Sequence, residues 1–169
     1  MEQISLFAMP EIFPDKPELI MKTACFTGHR KIPDYILPRL NNAVMLEIKR
    51  LYTTEHVYKF IVGGATGFDT MVLFELIKLK RKYKNIFITL ALPYLPENGH
   101  YLGLDKHVNI NLVNNGQYFN GCMQIRDRFM VDHSNICIAY LVNNTGGTAY
   151  TVNYAYRKNK PVINLASCI

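Results

Sequence analysis

Hydrophobic positions follow two rhythms along this chain. Short, nearly unbroken apolar runs occur at Thr23 to Thr27 (TACFT), Val57 to Val62 (VYKFIV), Ile86 to Leu92 (IFITLAL), Asn135 to Val142 (NICIAYLV) and Pro161 to Ala166 (PVINLA). Runs of this length bounded by Gly, Pro or Asn read as strands, and their lack of alternating polar positions is what burial on both faces of a parallel sheet requires. Between them the spacing changes to three and four. Ile36, Leu40, Val44, Ile48 and Leu51 recur at helical intervals, as do Phe68, Val72, Leu76 and Leu79, and then Met123 and Met130 with their neighbours. These patterns predict amphipathic helices connecting the strands. The alternation predicts an α/β fold: a Rossmann-like, doubly wound, mostly parallel sheet with helices on both faces and ligands bound beyond the strand carboxyl ends. The stretch from Pro93 to Gly116, with Asn98, Gly99, Gly103 and the Asn-rich NINLVNNG, is the least regular and is expected to form a flexible rim of that cleft.

The start of the chain has a different character. Glu2, Glu11, Asp15 and Glu18 face a lone Lys16, a local net of −3, and Pro10, Pro14 and Pro17 prevent a continuous helix. The expected division is an acidic, proline-containing leader over 1–21 and a single domain over 22–169. With 169 residues, 49% hydrophobic and 19% charged, the chain suits one filled core, and global disorder is excluded. The net charge of +6 then divides into the acidic leader and a body of about +9 by difference. A pI near 9.1 favours phosphate-bearing partners without telling a nucleotide from a polymer or a membrane. No apolar run approaches the eighteen residues or so that span a bilayer, and Glu2 stands where a secretory signal carries basic residues. The expected compartment is the cytoplasm, with no membrane partner. Cys25, Cys122, Cys137 and Cys168 include no CxxC pair and read as small core hydrophobes in a reducing compartment.

Three glycine turns carry the candidate chemistry. Thr27-Gly28-His29-Arg30 follows the first strand; a glycine there lets backbone amides approach a ligand, and Arg30 either forms paired hydrogen bonds to a phosphate or stands as a solvated surface charge. Gly63-Gly64-Ala65-Thr66-Gly67-Phe68-Asp69 joins the second strand to a helix, whose N-terminus would make an anion or sugar site. A carboxylate repels phosphate, so Asp69 is expected to cap that helix or to accept ribose hydroxyls. The third turn, Asn143-Asn144-Thr145-Gly146-Gly147-Thr148, again lies between strand and helix. Neither GxGxxG nor GxxxxGK[ST] is present, so nucleotide binding would need another geometry. Arg126 shares a helix stripe with Met123 and Met130, where a guanidinium needs a partner: Asp132, Asp69 or an anionic ligand. Tyr150 either stacks on a base or packs within its helix.

The segments TACFTGHR, GGATGFDTM, MQIRDRFMVDHSN and NNTGGTAYTVNYAYRKNKPV, in this order and spacing, resemble the YpsA-like family of the SLOG superfamily over residues 22 to 166. That superfamily also includes the Lonely Guy phosphoribohydrolases and the SLOG domain of DprA. The resemblance implies a Rossmann-like fold without the usual dinucleotide fingerprint and a site for nucleotides or relatives of ADP-ribose, the nucleotide being ligand rather than cofactor. It also implies association into a homodimer. Met123, Arg126 and Met130 match the Met-x-x-Arg-x-x-x-Met helix of the Lonely Guy enzymes. Of their Pro-Gly-Gly-x-Gly-Thr-x-x-Glu motif, Gly146 and Gly147 match, Thr145 replaces the proline, Ala149 the third glycine and Tyr150 the threonine, and Asn153 falls where the catalytic glutamate belongs. An amide serves neither as general acid or base nor as the charge that stabilises an oxocarbenium-like transition state.

The leading expectation is therefore a module that senses or sequesters a small nucleotide-derived ligand, ADP-ribose-like, NAD-like or a mononucleotide. Its phosphate would be held by Gly146, Gly147, Thr148 and Arg126, with Arg30, Gly63 and Gly64 closing the site. One alternative is a nucleoside or NAD N-glycosidase that takes its carboxylate from Asp69 or Asp132. Another is DprA-like binding of single-stranded nucleic acid, to which Lys78, Lys80, Arg81, Lys82 and Lys84 would contribute, although cations at a helix C-terminus also serve as a solvated face. In the leader, Gln3-Ile4-Ser5-Leu6-Phe7 looks like the Gln-x-Ser-Leu-Phe peptide that docks bacterial proteins to the polymerase sliding clamp, with Gln3, Leu6 and Phe7 as its anchors.

Overall fold

The computed structural model describes residues 21–95 and 106–169. The acidic leader and the clamp-like Gln3, Leu6 and Phe7 lie outside them. Among the described residues six strands, β1 (Lys22–Gly28), β2 (Val57–Val62), β3 (Phe87–Leu92), β4 (Asn109–Leu112), β5 (Ile136–Tyr140) and β6 (Val162–Asn164), form one sheet in the order β4-β3-β2-β1-β5-β6. All five neighbouring pairs are parallel. Helices α1 (Leu37–Thr53), α2 (Phe68–Lys82), α3 (Cys122–Asp132) and α4 (Gly146–Arg157) cover both faces. The protein is thus a Rossmann-like α/β fold.

Each predicted helical stripe is the face that packs. In α1 the buried residues are Leu40, Val44, Ile48 and Leu51, and in α2 they include Phe68, Val72, Leu76 and Ile77. Together with Phe26, Phe60, Ile88 and Ile138 of the strands they fill the larger core. On the opposite face Met130 and Val131 of α3 and Ala155 of α4 pack on Cys25, Ile61, Ala91 and Cys137. Successive strands send alternate side chains to opposite faces, so Cys25 serves one core and its neighbours Ala24 and Phe26 the other.

Two expectations are corrected. The irregular stretch after Pro93 contains β4, a parallel edge strand paired with β3 from Thr89↔Asn109 to Leu92↔Leu112. Its Asn-Ile-Asn-Leu sequence alternates with period two, and Ile110 packs on the core, but two asparagines conceal a strand from propensity. None of its described residues lines the cleft introduced below. The cysteines also divide: Cys25, Cys122 and Cys137 are buried and free, whereas Cys168 is exposed in the C-terminal 3-10 turn. No helix among the described residues is long and apolar enough to cross a membrane.

Phe60 of β2 is fully buried, with its ring 6.2 Å from that of Phe26, whereas Phe74 of α2 is 58% exposed. Phe60→Ala is expected to lower unfolding free energy by about 3–5 kcal/mol. Phe74→Ala should change it by about 0.5 kcal/mol or less. Denaturant titration of both variants measures the contrast.

Candidate functional site

In this sheet the connections from β1 and β5 leave toward opposite faces, so the chain diverges above their adjacent carboxyl ends and opens a crevice. A cleft of about 240 Å³ lies there. Its walls come from four places: Phe26 to Arg30 at the end of β1, Ala65 and Asp69 after β2, Met123, Arg126, Asp127 and Met130 of α3, and Thr145 to Thr148 where α4 begins.

The glycines at this edge serve different purposes. A Cβ on Gly28 would lie 2.3 Å from the Phe68 ring, so this glycine lets α2 pack against β1. A Cβ on Gly63 would meet the Arg126 guanidinium and the Asp69 carboxylate at under 3 Å, and one on Gly67, which has φ +74°, would run into the Arg30 carbonyl at 2.1 Å. Those three positions are occupied by the protein itself. Gly146 and Gly147 are exposed, and among the described residues nothing lies within 4 Å of a Cβ built on either. Gly146 has φ +81°, which favours glycine, but Gly147 is helical and under neither constraint. Thr145, the N-cap residue of α4, makes no side-chain cap bond, so the first-turn amides face the cleft without one.

Arg126 is buried on the apolar stripe, as the spacing required, but its partner differs from both expected carboxylates. Nε donates to Asp127 Oδ1 at 2.7 Å and Nη1 donates to the Gly63 carbonyl. Nη2 meets only the Met123 sulfur, at 4.0 Å, among the described residues. Asp132 instead accepts the Tyr154 hydroxyl at 3.0 and 3.1 Å and pairs with Lys158 at 3.6 Å, on the exposed side of α3 and α4 and away from the cleft. Consecutive residues seldom face each other on a helix, which is why spacing did not reveal Asp127; the guanidinium folds back along the helix to reach it.

Asp69 is buried in the first turn of α2, and Oδ2 accepts the Ala65 amide at 3.0 Å. It therefore closes its own loop rather than taking the N-cap position, which Gly67 fills. Burial pushes its carboxyl up to about 6 against the pull of Arg126. Burial likewise raises the Asp127 carboxyl, again opposed by Arg126. Arg30 is exposed on the rim and makes no hydrogen bond or ion pair among the described residues, while its charge acts through space on both carboxyls. His29 Nε2 accepts the amides of Val142 at 2.9 Å and Asn143 at 3.2 Å. An amide only donates, so Nε2 holds a lone pair and the ring proton sits on Nδ1. Burial lowers the pKa of this imidazole.

Of the sequence candidates, Gly28, His29, Arg30, Asp69, Arg126, Gly146, Gly147 and Thr148 line one cleft. Gly63, Gly64, Gly67 and Tyr150 are not among its lining residues. Gly63 positions Arg126, Gly64 takes φ +71° in the loop, and Tyr150 stacks on Tyr154 with ring centres 6.5 Å apart. Asn153 is exposed on α4, outside the lining. The basic run lies at the far end of α2, about 20 Å along the helix from the cleft, where Lys78 pairs with Glu75 at 2.7 Å. Among the described residues no group of three or more His, Cys, Asp or Glu is placed to hold a metal.

A parallel α/β sheet with a polar cleft at its switch point defines the class of protein, and comparison with known proteins agrees with it. No family model matches the chain. It is similar to the SPbeta prophage-derived protein YoqJ of Bacillus subtilis (strain 168), 26% identical over 137 residues that cover 69% of this chain and 80% of that one. Among solved structures it resembles DNA processing protein A (DprA) from Streptococcus pneumoniae, with a TM-score of 0.64 and 13% identity. It also resembles DprA from Helicobacter pylori, described for its binding of single-stranded DNA, with a TM-score of 0.59 and 16% identity. The matches cover 84% and 83% of this chain but only 49% and 63% of those proteins. The shared fold is the one the SLOG resemblance implies.

The folded-state pKa of Asp69 exceeds the ordinary carboxylate value of 3.8, so the folded protein takes up this proton first, and stability from this group grows as pH falls through about 6. Between pH 7 and pH 5 the wild type should gain about 1 kcal/mol relative to Asp69→Asn. Parallel denaturant titrations at the two pH values measure this, and equal differences would contradict the burial of an ionisable Asp69.

Proposed function

We propose that this protein binds a small nucleotide-derived ligand through its phosphate, held at the N-terminus of α4 and by Arg126. The observation that carries this reading is Gly147. It stands in the first turn of a helix, where glycine costs stability, with no neighbour among the described residues that excludes a side chain and no left-handed backbone that demands its absence. Close approach of a ligand to the amides of Gly147 and Thr148 supplies the missing reason, and the dipole of α4 favours an anion at that point. Arg126 Nη2 and the exposed Arg30 would add charge-assisted bonds. Asp69 and Asp127, which repel phosphate when ionised, suit the hydroxyls of an attached ribose. At about 240 Å³ the cleft lies below the usual range of about 300–1,000 Å³ for small-molecule sites, which favours one sugar-phosphate unit within it. ADP-ribose-like, NAD-like and mononucleotide ligands all carry such a unit.

A second reading has its own support, since the similar DprA from Helicobacter pylori binds single-stranded DNA. A backbone phosphate would then occupy the same α4 turn. N-glycosidic cleavage has less support: the exposed Asn153 stands at the glutamate position, Asp132 lies away from the cleft, and Asp69, which does line it, is engaged by the Ala65 amide of its own loop.

Gly147→Ala tests the reading without a cost in folding. Stability should rise by about 0.5–1 kcal/mol, because Ala restricts the unfolded chain and suits a helix. Affinity for ribose 5-phosphate and for nucleotides, measured by calorimetry, should fall tenfold or more. Retained affinity in the variant, or no heat from AMP, ADP-ribose, NAD or ribose 5-phosphate with the wild type, would overturn the assignment. Tight binding of an unstructured single-stranded oligonucleotide, weakening steeply with salt, would favour the second reading.

A further inference from the structure

On the other side of the β1–β5 edge lies a separate pocket of about 300 Å³, lined by Lys31, Tyr35, Ile36, Tyr140 and Val142 among others. It shares one residue with the cleft, His29, which forms a wall common to both. The pocket is aromatic where the cleft is polar. The Tyr140 ring is buried in the pocket lining, stacked at 6.0 Å on Phe68 and edge-on at 5.9 Å to His29, and so gives the pocket a fixed wall. Tyr35 is 79% exposed and Val142 61% exposed, an aromatic ring and an aliphatic side chain left in water beside a charged cleft. Lys31 adds a donor at the margin. His29 is bound through Nε2 to the backbone after β5, which fixes its proton on Nδ1 and leaves the ring a donor with no described acceptor.

We infer that this pocket is a second subsite of the same ligand, taking a planar aromatic ring while the phosphate-bearing sugar occupies the cleft. The inference rests on the phosphate reading above. The linking segment of the ligand would pass over His29 and accept a hydrogen bond from Nδ1–H. With one sugar-phosphate unit in the cleft of about 240 Å³, the ring would sit beyond it. A ligand that reaches across the wall then needs an anionic linker between that sugar and the ring, which a nucleoside joined to a second sugar through a pyrophosphate supplies. Its class is a nucleoside diphosphate ester rather than a mononucleotide. In doubly wound sheets an extended ligand crosses the sheet edge at this junction of divergent strands. Tyr35 would cover the ring by stacking, a contact open to any base because every base has a π-face.

Calorimetry with the full chain tests this, using ribose 5-phosphate as a probe of the cleft alone and ADP-ribose as a probe of both compartments. The wild type should bind ADP-ribose more tightly than ribose 5-phosphate. Tyr35→Ala should weaken ADP-ribose about tenfold and leave ribose 5-phosphate within about twofold, whereas Tyr35→Phe should retain both. Tyr35 is so exposed that its removal should leave the melting temperature unchanged. The subsite is overturned, with the phosphate reading intact, if ribose 5-phosphate binds and ADP-ribose binds no more tightly. It is equally overturned if Tyr35→Ala spares ADP-ribose or weakens both ligands alike. Failure of both probes to bind the wild type overturns the phosphate reading and this inference with it.

Discussion

The parallel pairing of β1 with β5 is the constraint on which the site depends. Five residues stand in register from Ala24↔Ile136 to Gly28↔Tyr140, and each strand then sends its chain to a different face. At the amino end, Asn135 locks the pair: its side chain accepts the Thr23 amide at 2.8 Å and its own amide donates to the Thr23 carbonyl at 2.7 Å. At the carboxyl end, the His29 amide donates to the Tyr140 carbonyl at 3.3 Å and its imidazole accepts two amides beyond β5. A junction secured at both ends holds two strand termini together while the segments beyond them part. The crevice is therefore a consequence of topology rather than of any single loop.

Charge at this crevice differs in kind from charge over the molecule. The chain carries +6, but the groups around the cleft are two arginines and two carboxyls, which nearly cancel. Their protonation states are set by burial. Asp69 and Asp127 are both shifted toward the neutral form, and Arg126 is held between the Gly63 carbonyl and Asp127 so that one edge of its guanidinium stays toward the cleft. The surplus of cations lies elsewhere, much of it at the end of α2 remote from the cleft. A basic isoelectric point thus says little about what this site recognises.

Much of the fold was legible in local pattern. The helical stripes of α1 and α2 and the apolar runs of β1, β2 and β3 appear where periodicity placed them, because burial on one or both faces imposes a spacing that any short window displays. β4 escaped because a half-exposed edge strand tolerates the asparagines of NINL. The glycine turns were legible as turns but not in their purposes. Gly28, Gly63 and Gly67 are small because Phe68, Arg126 and the Arg30 carbonyl press on them, contacts made by residues brought close only in the folded chain.

By itself the sequence determined the strand–helix alternation, the buried stripe that includes Arg126 and the glycine turns at the strand ends, since each is written in spacings of a few residues. Tertiary structure decided the partners. It paired Arg126 with Asp127 and the Gly63 carbonyl 63 residues away, bound His29 to amides 113 and 114 residues downstream, and left Asp132 on the far side of its helix. Periodicity reports how deeply a side chain is buried. Which groups meet there depends on strand order and crossover handedness, which bring together segments that no local window contains.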